Sequence, residues 1–446
     1  MKVSSFPQRI SNVAVVALLL SSSGAAYENP LATTDQRNLD DLAIQIYQNN
    51  TFTVLKAEAK AAYETAHGLP ISDEALSSLD AAIDELTFSS IQKAVNNDPY
   101  YPKVYSVNAA PHNWFGLDVP GGRYSYDNPD CIYRTIPIDY SLSYVVTGYR
   151  YTPGPADVTF SLISDPNSQN TIASLSDSDL IIDADGSYTI TINSSAATDN
   201  TTNHIQSTLL AKQLFVRNNL GDWLSQKPDN LSVELVGSTS ETPITDASIL
   251  TAAKLDLQES IVDYGVGALG IKTSVYTVNT LSTPSQSSTL GTLTSQASSF
   301  GHFTLSDNET LVATLTPGSS TYWVFPVTDP WMVSVDPGTS QVSLNSEQAV
   351  ANTNGTYTFV VSEEDPGVYN WLNTTGLTEG TIMVRWQGLP TSSSDSSDDS
   401  PSITTQVVQL SELSSVLPSD TVFVTSEERA SQLAQRAAGY AQRFDF

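Results

Sequence analysis

The chain has 446 residues, with 48 Asp and Glu against 19 Lys and Arg, for a formal net charge of −29. A field of that sign repels nucleic acid and anionic membrane surfaces, so neither is expected as a partner. The length exceeds the size at which one hydrophobic core stops growing, so more than one domain is expected.

The N-terminus reads as a secretory leader over residues 1–26. Lys2 and Arg9 supply the positive end, Val13 to Leu20 a short apolar run, and Gly24, Ala25 and Ala26 a small-residue cleavage site. The apolar run is far below the ~20 residues a membrane span needs. A secreted protein that no longer contacts the membrane after cleavage is therefore expected. Asn-x-Ser/Thr sequons at Asn49, Asn193, Asn200, Asn230, Asn308, Asn354 and Asn373 are then candidate glycan sites. A single cysteine, Cys131, forbids an internal disulfide, and a buried, inert thiol is its expected state.

Residues 27–100 carry apolar side chains at helical spacing, with Ser72 as an N-cap and Asp73 and Glu74 in a first turn. They are expected to form a helical cap. From Tyr100 the chain turns to short Val, Ile, Thr and Tyr runs broken by Gly, Pro, Asn and Asp, which is strand-and-turn punctuation. Strands are expected on both sides of Pro137, over Val158 to Ile163, and flanking an Asp185-Gly186 hairpin from Leu180 to Ile182 and from Tyr188 to Ile192. Helices are expected over His204 to Gln226 and Ala247 to Val262, then a loop over Leu281 to Ser299. Phe303 to Gln387 returns to strands. Asp395 to Asp399 reads as a solvated acidic loop, and Ser426 to Arg443 as a final helix.

The two strand regions share features in the same order. Asp127-Asn128 matches Asp307-Asn308, Tyr144-Val145-Val146 matches Tyr322-Trp323-Val324, and Asp185 to Ile190 matches Asn354 to Phe359. The expected fold class is α+β: two related antiparallel β-sandwich units, jelly-roll-like, with the helical cap and connecting helices. The units fall at 101–202 and 301–390, with a helical connector at 203–300 and an acidic loop plus helix at 391–446.

Chemistry-bearing motifs are few. Gly265, Gly267 and Gly270 form a GxGxxG, but a helix precedes it and a strand-like run follows, the reverse of a dinucleotide fingerprint. Asp183 to Gly186 lacks the flanking ligands of a calcium loop. His67, His112, His204 and His302 show no metal-pair spacing, so neither metal nor cofactor is expected.

The densest cluster lies between Arg123 and Arg134. Read functionally, Asp130 or Asp127 is a general acid or base, positioned by Arg123 or Arg134, with His112 nearby. Trp114, Tyr124, Tyr126, Tyr133 and Trp371 would line a ligand site. Read structurally, an Asp-Asn-Pro turn enters a strand and Arg–Asp pairs hold it; this is the preferred reading.

Three runs resemble a known family: Arg123 to Arg134, Asp365 to Gly376 and Gly380 to Trp386. They are similar to uncharacterised proteins carrying the domain of unknown function twelve-fourteen, often accompanied by domain twelve-fifty-four. Asn373 stands where that pattern has Asp. The resemblance covers Leu305 to Gly388 best. It implies β-sandwich modules and no reaction. Two functions stay open: an enzyme of the hydrolase, lyase or tailoring kind acting on a small molecule or glycan, or a non-catalytic protein that binds carbohydrate or a small ligand.

Overall fold

The computed structural model describes residues 29–68, 70–167, 170–198, 201–270, 275–287, 293–390 and 400–445. The leader, Asn200 and the acidic run 395–399 lie outside the described residues. Three helices come first: α1 (Thr34–Gln48), α2 (Thr53–His67) and α3 (Asp73–Val95). The Thr33 and Ser72 hydroxyls accept the free N–H groups of Gln36 and Ala75, fixing where α1 and α3 begin. The second half of α3 is buried on nearly every side, so this helix is a core element as much as a cap.

Eleven strands follow: β1 (Tyr105–Val107), β2 (His112–Trp114), β3 (Leu117–Val119), β4 (Cys131–Pro137), β5 (Tyr144–Tyr149), β6 (Asp157–Ile163), β7 (Thr171–Ser176), β8 (Ser187–Asn193), β9 (His204–Gln206), β10 (Gln213–Asn219) and β11 (Asn230–Leu235). A sheet ordered β1-β4-β10-β6-β7 and one ordered β11-β5-β8-β9 share a core that includes Ile136, Val146, Phe160, Ile190 and Leu214. Helix α4 (Asp246–Ser260) continues as a π-helical turn over Ile261–Leu269.

Ten more strands complete the sheets: β12 (Thr280–Leu281), β13 (Ser285–Gln286), β14 (Ala297–Thr304), β15 (Glu309–Thr316), β16 (Tyr322–Thr328), β17 (Ser343–Asn345), β18 (Tyr357–Ser362), β19 (Trp371–Asn373), β20 (Glu379–Gln387) and β21 (Ser402–Gln409). Here the orders are β12-β14-β20-β16-β17 and β19-β18-β15-β21, around Trp323, Phe325, Phe359, Val384 and Trp386. Helix α5 (Ser426–Ala441) ends the chain, opened by a capping box between Thr425 and Glu428.

The two sheet pairs have the same strand order, position for position. β4 corresponds to β14, β10 to β20, β6 to β16, β5 to β15 and β8 to β18; β9 and β19 each run parallel to their neighbour. Of the three sequence matches, only Asp185 and Asn354 fall on equivalent positions, in the turns that enter β8 and β18. Asp127-Asn128 precedes β4, whereas Asp307-Asn308 joins β14 to β15, and Tyr144 opens β5 while Tyr322 opens β16.

Other expectations also change. Leu180 to Ile182 is not a strand. His204 to Gln226 is not a helix but holds β9 and β10: Leu209 and Leu210 are exposed, so they make no helical face, and β10 lies between β4 and β6 with every residue buried. With both faces covered, Gln213, Arg217, Asn218 and Asn219 are buried beside Leu214, Phe215 and Val216, so the strand shows no alternation to tell it from a helix. Leu281 to Ser299 contributes strand residues, and β21 follows the acidic run. Gly265 to Leu269 lies in the π-helical turn and makes no phosphate loop.

The equivalent turns allow a test. Gly355 has φ +82° with open space where a Cβ would stand, so Gly355→Ala should cost only backbone strain, about 1 kcal/mol. Gly186 has φ +93°, and a Cβ there would lie 2.6 Å from the Arg150 carbonyl oxygen, so Gly186→Ala should cost more. Urea denaturation measures both, and equal losses would contradict the close approach.

Candidate functional site

The Tyr124 to Arg134 stretch enters β4 at the junction of α3, both sheet pairs and α5. Asp130 is fully buried. Its carboxylate accepts from Trp223 Nε1 at 2.9 Å, the Tyr322 hydroxyl at 2.6 Å and Asn345 Nδ2 at 2.9 Å. Burial pushes its pKa up, and the Tyr322 and Asn345 donors pull it back. Asp127, also buried, accepts from the Ser334 backbone N–H at 2.8 Å and from the Ser334 hydroxyl. Arg123 donates through Nε to Glu85 at 2.8 Å and to the Ser334 carbonyl. Arg134 donates to the Asp229 carbonyl and the Asn218 side chain. Each of the four charged candidates is thus bound to a structural partner.

The aromatic candidates are buried as well. Tyr124 packs against Tyr264, with the Lys93 ammonium 4.7 Å from its ring centre. The Tyr126 carbonyl accepts from Arg385, and Tyr133 stacks on Phe215. Trp114 Nε1 donates to Asp40 at 3.0 Å, and Trp371 Nε1 donates to the Ser362 carbonyl at 3.1 Å. None of the five offers an open stacking face.

Two concave places matter. The first is an interior cavity of about 30 Å³ between α3, β2, β4 and the end of α5. His112, Trp114, Asp127 and Tyr133 line it; Asp130, Arg123, Arg134, Tyr124, Tyr126 and Trp371 do not. The His112 ring stacks on Phe444 at 4.0 Å, and burial lowers its pKa to about 4, so it is uncharged at neutral pH. Cys131 also lines the cavity, its thiol pushed up to about 12 by burial and therefore unreactive. Arg134 instead borders a separate cleft of about 170 Å³.

The second place is a surface groove of about 300 Å³, lined by Asp222, Trp223, Gln341, Glu347, Gln348, Tyr369, Gln432, Gln435 and Arg436 among others. Glu347 accepts from Gln226 at 3.0 and 3.1 Å, and Gln348 donates to the Gly221 carbonyl at 3.1 Å. The guanidinium of Arg436 lies 4.2 Å from the Trp223 ring centre beneath the groove. Sequence reasoning missed this groove, because its residues come from four separated segments and glutamines carry no motif.

Among the described residues, no group of three His, Cys, Asp or Glu is arranged to hold a metal ion, and no helix is long and apolar enough to cross a membrane. Asn49, Asn230, Asn308 and Asn354 are exposed, and Asn193 and Asn373 are half-buried.

The architecture is thus mixed α/β, built on antiparallel sheets. Residues 303–388 match the family described as a protein of unknown function, DUF1214. An uncharacterised protein from Burkholderia cenocepacia has a similar crystal structure, with a TM-score of 0.66 and 21% identity over 83% of this chain and 99% of that one. The VPA0106 protein from Vibrio parahaemolyticus aligns over 82% of this chain and 100% of its own, at 11% identity and a TM-score of 0.40. A search of curated proteins gives no match. The Burkholderia likeness extends to the fold and no further.

Asp130→Ala should leave three buried donors unpaired and lower stability by about 3 kcal/mol or more in chemical denaturation. A change below about 0.5 kcal/mol would remove Asp130 from the clamp. A second prediction concerns pH. Burial pushes the Asp329 carboxyl up to about 7, although it accepts the Trp331 and Val333 N–H groups. A raised carboxyl pKa stabilises the fold fully below about pH 4 and loses that contribution as pH rises through 7. Asp329→Asn keeps the acceptor oxygen without the charge. Its Tm relative to the parent should therefore rise by a few degrees between pH 4 and pH 8, and a flat difference would contradict the shift.

Proposed function

We propose that the chain is a secreted acidic glycoprotein that binds a hydroxyl-rich ligand, a carbohydrate of about monosaccharide size, in the surface groove without catalysing a reaction. The observation that carries this reading is the groove's lining. Gln348, Gln432, Gln435, Glu347 and Asp222 line it with amides and carboxylates; each bonds a protein partner, and beyond those bonds their donor hydrogens and lone pairs are the mixture that sugar hydroxyls need. Tyr369 adds an aromatic side chain to the lining. The charged cluster around Asp130 supports the same reading from the other side, since its members are bonded to structural partners rather than facing open space.

The two sheet pairs are read as jelly-roll-like β-sandwich units derived from one duplicated unit. The shared strand order supports this. The association with domain twelve-fifty-four belongs to the same reading. Secretion rests on the leader pattern of Lys2, Arg9 and Val13 to Leu20, and glycosylation on the sequons.

A catalytic reading keeps one observation: uncharged His112 and Asp127 line one cavity. At about 30 Å³ the cavity admits no small-molecule substrate unless Phe444 moves, which favours binding at the groove.

A glycan array followed by calorimetry tests the proposal. Tyr369→Ala and Gln435→Ala should each weaken binding about tenfold or more with Tm unchanged. Absence of any saccharide ligand, or full affinity in both variants, would overturn it. Expression through a eukaryotic secretory pathway should give a protein whose mass falls on enzymatic deglycosylation, with Asn49, Asn230, Asn308 and Asn354 occupied. An unmodified secreted product would refute the glycoprotein reading.

A further inference from the structure

Four side chains that line the interior cavity each carry a buried polar atom without a protein partner among the described residues: Gln92 Oε1, Asn108 Oδ1, His112 Nε2 and Arg443 Nε. Their hydrogen-bonding roles follow from their neighbours. Gln92 Nε2 donates to the Tyr105 hydroxyl at 3.3 Å, which leaves Oε1 as the acceptor. His112 Nδ1 lies 2.6 Å from the Ala110 carbonyl, so Nδ1 carries the proton and Nε2 presents a lone pair. The Arg443 Nε–H is a donor, and its Nη2 is already bonded to the Pro129 carbonyl. The cavity wall therefore offers three acceptors and one donor. A buried polar group left unpaired costs about 1–3 kcal/mol, so a native fold does not leave four of them together.

We propose that this cavity is a built hydration site that holds two water molecules bridging Gln92, Asn108, His112 and Arg443. The hydrogen count gives that number. A single water donates two hydrogens and cannot serve three acceptors. Two waters bring four: three go to the side chains and the fourth to the other water, which leaves oxygen lone pairs for Arg443. The volume of about 30 Å³ is large enough to hold water. Phe444 closes the site by stacking on His112, and the Asn29 amide holds the tail through the Arg443 and Asp445 carbonyls, each at 2.8 Å.

Crystal structures of the wild-type chain and of Gln92→Met, at a resolution that shows ordered water, test the proposal. The wild type should show two separate peaks, each within about 3.2 Å of the named atoms. Gln92→Met keeps the side-chain volume and removes the amide, so the peak beside residue 92 should vanish while the one between His112 and Arg443 stays. A wild-type cavity without density, direct bonds among the four side chains, or one continuous density of a larger molecule would overturn the proposal. If the variant does not fold, the wild-type density alone decides.

Discussion

Burial of the Asp130 carboxylate constrains much of the junction around it. Taking such a group out of water is costly, and the cost is offset only while its donors stay in place. Those donors come from three places: Trp223 after β10, Tyr322 in β16 and Asn345 in β17. Asp130 itself stands at the entrance to β4, where its carbonyl accepts the Leu220 N–H. One carboxylate therefore ties the first sheet pair to the second. Asn128 adds a parallel tie, donating to Asn219 on one side and to Tyr322 on the other. The clamp reaches the groove directly, because Asn345 also donates to the Gly221 carbonyl at 3.0 Å, and Gly221 forms part of the groove wall.

Helix α5 is held by a related device. Arg429 and Arg436 stand seven residues apart on one side of the helix, and Arg443 follows seven residues later in the turn beyond its end. All three are buried, and all three donate to carbonyl oxygens: Val368 for Arg429, Pro337, Ser340 and Ser343 for Arg436, and Pro129 for Arg443. A guanidinium suits this work because it presents several donors in a fixed plane. In a chain with 19 Lys and Arg, burying three of them in and just after one helix is a large commitment. Desolvation lowers the Arg436 pKa to about 10, and the guanidinium remains charged at neutral pH.

Much of the fold was legible because burial was one-sided. The helical spacing of α1 and α4, and the alternation that β8 keeps with Tyr188, Ile190 and Ile192 buried, mark half-covered elements. Strand β10 was not legible, since both of its faces are covered and alternation disappears. The candidate site was harder for a different reason. Asp127, Asp130, Arg123 and Arg134 form a dense charge cluster, and a buried clamp has the same composition as an active site. What separates the two is whether the groups are already bonded, and that depends on Ser334, Tyr322, Asn345 and Glu85, which are distant in sequence. Late arginines such as Arg436 and Arg443 agree with a helix dipole in sequence, and nothing in their spacing shows that the side chains turn inward.

The interior cavity and the surface groove meet at Trp223. The guanidinium of Arg436 lies 4.2 Å from its ring centre and that of Arg443 5.0 Å. Arg436 and Trp223 belong to the groove, whereas Arg443 belongs to the cavity. One indole, its N–H held by Asp130, thus packs against an arginine of each place.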